Sequence, residues 1–445
     1  MMRRLLSHGR KAILVVALVM ASTASATWSI VITDSSTKEV AIGTVTCLNN
    51  YDLLAIVPVV VVGKGAGACQ ASGDFDGIRR PIIFEQLQLG TPPDQILAML
   101  AGITGHQSRQ YGIADTQGRM ITFTGTQCLQ WAGGVVGQQG TMVYAIQGNI
   151  LAGNCVVPAI EQAVLNTPGD IPAKLMAGMQ AARQKGGDGR CSCSSSNPTS
   201  CGCPPPSFRK AGHIGGMVVA RIGDTDDTVC NASGCADGDY FMRLNVAFQP
   251  TANPDPVQQL QELFDTWRAG LVGRPDAIQS TASFAPATLP PNGLATGVLL
   301  VTVNDWQGQR VLSGIQSVTV AHAPDSANIS TIGAVTNNGD GTFSVALTAG
   351  TQTGVDRFTV TIDDGIRPVI LMPEPSLRYF ALGDLNCNGS VEFGDINPFV
   401  LALADPSGYA TAYPNCNVLN GDINTDGATD FADINPFVGL LVDRG

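Results

Sequence analysis

Near the end of this 445-residue chain, oxygen-bearing side chains recur at one spacing. Gly383-Asp-Leu-Asn-Cys-Asn-Gly-Ser-Val-Glu-Phe-Gly-Asp395 returns as Gly421-Asp-Ile-Asn-Thr-Asp-Gly-Ala-Thr-Asp-Phe-Ala-Asp433, and both copies run on into Ile-Asn-Pro-Phe-Val. Each copy has oxygen side chains at loop positions 1, 3, 5, 9 and 12 and glycine at 6. That is the ligand pattern of a calcium loop, in which the glycine permits a sharp turn and a carboxylate closes the sphere. The first set is Asp384, Asn386, Asn388, Glu392 and Asp395, with the Ser390 carbonyl at position 7. The second is Asp422, Asn424, Asp426, Asp430 and Asp433, with the Ala428 carbonyl. An acidic Gly/Asn/Asp stretch can be a plain turn, but repetition in register argues for two bound Ca2+ ions.

The other end of the chain offers a different chemistry. Arg3, Arg4, Arg10 and Lys11 precede an apolar run from Ala12 to Met20, and Ala24-Ser-Ala26 supplies small residues for cleavage. These features predict a secretory signal over residues 1–26. Cleavage after Ala26 would leave Thr27 at the terminus; Ser22-Thr-Ala24 is an acceptable alternative site. An N-terminal threonine is a compact catalytic unit. Its hydroxyl can attack a carbonyl, and its α-amine, with an ordinary pKa of about 8, can accept the proton through a water. Every cleaved protein begins with some residue, so this observation does not stand alone.

Positioning elements follow from the pattern between these ends. The length predicts two to four domains. No segment after the signal is long and apolar enough to span a bilayer. A net charge of −11 without a basic stripe argues against a nucleic-acid partner. Twelve cysteines in an exported chain read first as disulfides, although Cys191-x-Cys193 and Cys201-x-Cys203 could instead hold zinc. Cys387 and Cys416 are placed to staple the first calcium repeat.

Ser29–Thr33 and Val59–Val62 read as strands, with Pro58 tolerated at a strand start. Thr91 is expected to cap an amphipathic helix reaching Leu100. Arg109–Asp115 and Arg119–Thr124 look like a hairpin, and Asp255–Trp267 like a helix with Val257, Leu260, Leu263 and Phe264 on one side. Pro275–Asn292 lacks periodicity and reads as a linker. Beyond it, Gly297–Val303, Val318–Ala321, Thr342–Leu347 and Arg357–Ile362 are strand-like runs, and Asn338-Gly-Asp-Gly341 resembles the turn of invasin-type bacterial immunoglobulin-like (Ig-like) domains. The job expected of such a domain is spacing.

Thr27-Trp-Ser-Ile-Val-Ile-Thr-Asp34, Gly67-Ala-Cys-Gln-Ala71, Arg109-Gln-Tyr-Gly-Ile-Ala-Asp115, Phe123-Thr-Gly-Thr-Gln-Cys-Leu-Gln-Trp-Ala-Gly133, Gln147-Gly-Asn-Ile-Leu-Ala-Gly153 and Gly186-Gly-Asp-Gly-Arg190 occur in a familiar order. Together they resemble family 1028 of the domains of unknown function, over Thr27 to about Trp267. The resemblance implies an α+β fold, a four-layer αββα sandwich of the N-terminal-nucleophile (Ntn) hydrolase type. It also implies Thr27 as nucleophile, because family members lose a methionine to expose a threonine. Asn149 is the candidate oxyanion donor, Gln70 a candidate cleft residue, and Asp34 and Arg109 candidates to orient the terminus or bind a carboxylate. Each has a plain structural alternative: turn, strand-end amide or ordinary ion pair. The inserted Cys191–Pro206 segment departs from the family pattern and puts any site there in doubt.

The final residues resemble a type I dockerin, a small α-helical module of two calcium loops that attaches exported proteins to a cohesin-like module. Phe393-Gly394 and Phe431-Ala432 stand where clostridial versions often carry Ser-Thr, which puts a standard partner in doubt. Phe393 and Phe431 are expected to be core, with Ile396 and Ile434. The expected order is a signal at 1–26, an Ntn-hydrolase-like domain at 27–272, a linker at 273–292, an all-β Ig-like sandwich at 293–373 and a dockerin at 380–445. The leading reading is an exported amidohydrolase acting on an unknown amide substrate, secreted, periplasmic or held at the cell surface. The alternatives are a non-catalytic surface-assembly protein and, last, a glycoside hydrolase, which lacks a recognisable carboxylate pair.

Overall fold

The computed structural model describes residues 27–226, 229–414 and 416–442. The expected export signal, residues 1–26, lies outside the described residues.

The first domain runs β1 (Thr27–Asp34), β2 (Val40–Thr46), β3 (Pro58–Val61), β4 (Gly65–Ala71), α1 (Arg79–Gln88), α2 (Pro93–Ala101), β5 (Arg109–Asp115), β6 (Met120–Thr124), β7 (Gly133–Gln139), β8 (Met142–Asn149), α3 (Val156–Asn166), α4 (Ile171–Gln184), the short α5 (Gly189–Ser192), β9 (Ile214–Ala220), β10 (Met242–Val246) and α6 (Pro256–Ala269). One sheet has the order β10-β9-β2-β1-β8-β7, the other β3-β4-β5-β6. Strand β1 explains how they are layered. Its side chains alternate: Trp28, Ile30 and Ile32 pack in a cluster with α3, α4 and α6, while Val31 joins a second cluster with Ala66, Ala68 and Ala114 of the other sheet. A third cluster lies between β3–β6 and α1–α2, including Ile83, Leu87, Ile96 and Leu100. Burial on both faces accounts for strands that read as continuous apolar runs.

Two local expectations are corrected. Thr91 does not cap α2: Pro92 holds the cap position, and the Thr91 hydroxyl instead donates to Gln86 at 2.8 Å. Leu263 is 42% exposed because the buried stripe of α6 is centred on Val257, Leu260 and Phe264. The cap of α6 is Asp255, which accepts the Val257 N–H at 2.8 Å.

The second domain comprises β11 (Thr281–Ala285), β12 (Thr288–Leu289), β13 (Thr296–Thr302), β14 (Ser317–His322), β15 (Thr331–Asn337), β16 (Thr342–Thr348), β17 (Gly354–Asp363), β18 (Val369–Ile370) and β19 (Ser376–Tyr379). Two sheets, β11-β13-β16-β15 and β12-β19-β17-β14, enclose a core of Leu299, Val301, Val345, Phe358 and Val360, a β-sandwich as expected. The linker expectation fails over much of its length. Residues 281–285 pair with β13, and 288–289 pair with β19. Their Thr/Ala/Ser/Pro composition hid an edge strand whose alternating face is only half-buried.

The domains touch through ion pairs. Arg221 donates to Glu39 and Asp276, both at 2.8 Å, and Arg367 reaches Asp224 at 2.7 Å and Asp239 at 2.9 Å. The C-terminal module has α7 (Ile396–Ala404), α8 (Pro406–Ala412) and α9 (Ile434–Val442) around Leu385, Phe399, Tyr409 and Phe437, with the Phe399 and Phe437 rings 4.3 Å apart. Phe393 and Phe431 are not core: they are 76% and 78% exposed. Each sits in a single 3-10 turn ahead of its helix, and the phenylalanines six residues later fill the interior instead.

Ten cysteines form disulfides: 47–191, 155–203, 193–201, 230–235 and 387–416. The four cysteines weighed as zinc ligands are divided among three of them, which removes their thiolates. The staple expected between Cys387 and Cys416 is present.

Candidate active site and cation loops

Thr27 begins β1, paired with Thr46 of β2 on one side and Asn149 of β8 on the other. Its backbone N–H donates to Asn149 Oδ1 at 3.2 Å, and its carbonyl accepts from Gln70 Nε2 at 2.9 Å. In the full chain this nitrogen is a peptide amide; removal of residues 1–26 would turn it into an α-amine. Because Thr27 N is a donor, it faces the oxygen of the Asn149 carboxamide. The contact therefore orients the nitrogen of Thr27 and is not the oxyanion contact expected of Asn149.

Gln70 is fully committed. Beyond Thr27, its Nε2 donates to Gln110 Oε1 at 3.0 Å, and its Oε1 lies 2.5 Å from the Ser29 hydroxyl, which is itself 2.9 Å from Thr44 Oγ1. Gln110 passes the network on to the Gly148 carbonyl at 2.8 Å and to Thr124 at 2.9 Å. This network, drawn from both sheets, is buried, where satisfied polar groups are rigid and specific. Gln147 is also fully buried, and neither of its amide atoms has a partner among the described residues. It needs Gly112 opposite, since a Cβ there would lie 2.0 Å from Gln147 Oε1.

Asp34 and Arg109 stand elsewhere. Asp34 ends β1, about 23 Å along the strand from Thr27. It is a turn residue that accepts the Ser36 and Thr37 N–H groups at 2.8 Å and the Thr141 hydroxyl at 2.7 Å. Arg109 alternates with Gln110, so its side chain leaves the opposite face of the sheet, where it donates to the Gly73 carbonyl at 2.6 Å. Neither is brought to Thr27.

Sequence reasoning missed Ser29, Thr44, Gln110 and the Asp188–Arg190 pair. Asp188 is fully buried, accepts the Cys47 N–H at 2.7 Å and binds Arg190 at 2.9 Å. Arg190 also reaches Thr46 Oγ1 at 3.5 Å, the residue paired with Thr27. A signal was available: Ser29, Thr44, Thr46, Gln147 and Asn149 recur at every second position in otherwise apolar strands, which marks one polar end of a buried face. The buried Cys69 is no rival nucleophile, because burial pushes its thiol pKa up.

The two C-terminal loops share their hydrogen bonds. Asp384 Oδ2 accepts the Gly389 N–H at 2.8 Å, and Asp422 Oδ2 accepts the Gly427 N–H at 3.0 Å. Asp395 accepts the Asn386 and Glu392 N–H groups, both at 2.9 Å, and Asp433 those of Asn424 at 2.9 Å and Asp430 at 3.0 Å. Gly389 and Gly427 take φ of 89° and 105°, as position 6 requires. At position 7, the Ser390 and Ala428 N–H groups donate to Asn388 and Asp426, at 2.9 and 3.0 Å. Asp422 is fully buried, and its Oδ1 has no partner among the described residues. An all-oxygen donor set with an orphaned carboxylate oxygen fits a hard cation such as calcium.

The chain thus joins an α+β domain to an invasin-like β-sandwich. Residues 27–197 match the family of unknown function DUF1028, and residues 276–368 match the family described as invasin, domain 3. No curated protein matches the chain. Among solved structures, protein SPO2555 from Silicibacter pomeroyi, a DUF1028 protein, is 17% identical with a TM-score of 0.38, covering 54% of this chain and 89% of its own. InvD of Yersinia pseudotuberculosis is 25% identical (TM-score 0.20; 23% of this chain, 28% of that one), and its adhesin InvE is 28% identical (0.19; 23% and 26%). The chain spans about a quarter of the length of those two proteins. No described helix is long and apolar enough to cross a membrane.

Proposed function

We propose that removal of residues 1–26 yields an exported Ntn-type amidohydrolase, built as an αββα sandwich and carried on an Ig-like spacer. One observation carries this reading: the nitrogen and carbonyl of Thr27 are both gripped, by Asn149 and Gln70, at the polar end of the space between two sheets. In this reading the Thr27 hydroxyl attacks the carbonyl carbon of an amide while the freed α-amine takes its proton through a water. The tetrahedral intermediate then expels the amine, which leaves with that proton, and water hydrolyses the remaining ester to regenerate Thr27. Gln70 and Asn149 orient the terminus; Gln110 and Ser29 hold Gln70. The pairing of the buried Asp188 with Arg190 weighs against the glycoside-hydrolase alternative.

The C-terminal module is read as a dockerin. Asp384, Asn386, Asn388, Glu392 and Asp395 would hold one calcium ion, with the Ser390 carbonyl; Asp422, Asn424, Asp426, Asp430 and Asp433 would hold another, with that of Ala428. Calcium would supply the charge that orders both loops. Phe393, Ile396 and Val400 and their counterparts Phe431, Ile434 and Val438 are all more than a third exposed. These two like apolar faces suit attachment to a cohesin-like module. The disulfides and the invasin-like domain favour an extracellular or surface location. The invasin-like match also favours a second reading, a non-catalytic surface protein.

The two readings part on the mature N-terminus and one variant. Intact mass and N-terminal sequencing of the exported protein are expected to give Thr27. Thr27→Ala is expected to lower hydrolysis of a responsive amide substrate by about a thousandfold or more while melting like wild type. A mature terminus elsewhere, or undiminished turnover in the variant, would leave the surface-protein reading.

A further inference from the structure

The two cation loops are alike in sequence and hydrogen bonding but not in surroundings. Arg378, on β19 of the Ig-like domain, places its Nη1 on Asp422 Oδ2 in the second loop. Among the described residues, the matching Asp384 of the first loop has no ion-pair partner. We propose that Arg378 is an electrostatic latch on the second loop: it lowers that loop's calcium affinity, and calcium bound there loosens the contact in return. This inference rests on the calcium reading above.

Charge rather than geometry is what Arg378 adds. In both loops the first-position aspartate is already oriented by the N–H of the position-6 glycine, Gly389 to Asp384 and Gly427 to Asp422. The first loop makes this bond without an arginine, so Arg378 is not needed to aim Asp422. Its guanidinium shares Oδ2 with Gly427, and Oδ1 is left buried without a partner. A cation would take that orphaned oxygen and so sit across a single carboxylate from a fixed positive charge. Repulsion over that span is strong even at a surface dielectric.

The second loop has four carboxylates, Asp422, Asp426, Asp430 and Asp433; the first has three, Asp384, Glu392 and Asp395. Ligand charge alone would make the second loop the tighter site; Arg378 more than offsets the surplus and leaves it the weaker. Because β19 pairs with β17 and β12, the guanidinium is anchored to the sandwich and not to the module. Coupling is reciprocal by linkage: whatever Arg378 takes from calcium affinity, calcium takes from the interdomain contact. Filling of the second loop then frees the C-terminal module from the Ig-like domain.

The test is calcium titration by calorimetry of the full chain, as wild type, Arg378→Ala and Arg378→Gln, the last keeping an N–H donor without charge. Wild type is expected to show two unequal sites. In both variants the weaker site should tighten at least tenfold and the other stay within about twofold. Solution scattering of wild type should show the chain extending as the weaker site fills, with the variants extended from the start. A weaker site that is unmoved, or weakened, overturns the latch while leaving calcium binding intact. No calcium uptake by any of the three overturns the latch and the calcium reading together.

Discussion

At the scale of single residues, the candidate site sets one fully committed amide, Gln70, near a buried amide, Gln147, that has no partner among the described residues. Gln70 uses both ends of its carboxamide, holding the Thr27 carbonyl, Gln110 and Ser29 at once. Gln70→Leu would strand three buried partners, each costing about 1–3 kcal/mol. The expected outcome is a loss of several degrees in Tm together with loss of activity, read by thermal melts and substrate turnover. Asp226 makes a separate prediction. Both its oxygens lie 3.0 Å from the Val62 nitrogen, and burial pushes its pKa up to about 6. In the unfolded chain the carboxyl releases its proton at about pH 4. Between about pH 4 and 6 the folded state therefore holds a proton the unfolded state has lost, and stability falls as pH rises. Asp226→Asn should remove that fall, so its Tm relative to wild type improves from pH 4 to pH 7. A constant difference between the two proteins would refute the assignment.

Elements decide how the site is walled. Thr27, Thr46 and Asn149 end or begin three adjacent strands, β1, β2 and β8, so the register alone puts them side by side. The 191–206 segment is stapled to the chain beyond β2 and β8, through Cys47–Cys191 and Cys155–Cys203. The third bridge, Cys193–Cys201, closes only eight residues of separation, whereas Cys47–Cys191 closes 144. On chain entropy, removing the short bridge with paired Cys→Ser changes should cost about 2.5 kcal/mol and removing the long one about 5 kcal/mol. Chemical denaturation of the two double variants checks the order, and equal losses would contradict it. The strands themselves were legible, because alternation and β-branched runs declare them. The edge strand at 281–285 was not, because its residues look like those of a linker and only pairing with β13 makes them a strand.

For the whole molecule, the contact between the first two domains includes a buried ionic cluster. Arg221 stands between Glu39 and Asp276, with its guanidinium 3.6 Å from the centre of the Phe241 ring, and both carboxylates are buried. Arg221→Ala would leave two buried carboxylates unpaired, at a cost of about 3–5 kcal/mol. Calorimetry should then show the first domain melting earlier, as a transition separate from that of the sandwich. A single unshifted transition would show that the cluster contributes nothing to their union.

What the chain determined by itself is local. The oxygen spacing repeated in the two C-terminal loops and the strand runs depend on neighbours within about a dozen residues. Local geometry of that kind sets which way a side chain leaves its element. The tertiary structure alone decided which side chains meet. It brought Gln70 and Asn149 to Thr27 across separations of 43 and 122 residues, and Arg378 to Asp422 across 44. It turned Asp34 and Arg109 away, and it left Phe393 and Phe431 in solvent. The physical reason is the same in each case: a contact between layers depends on how packed elements are placed against each other, and that placement is a property of the whole core rather than of any segment in it.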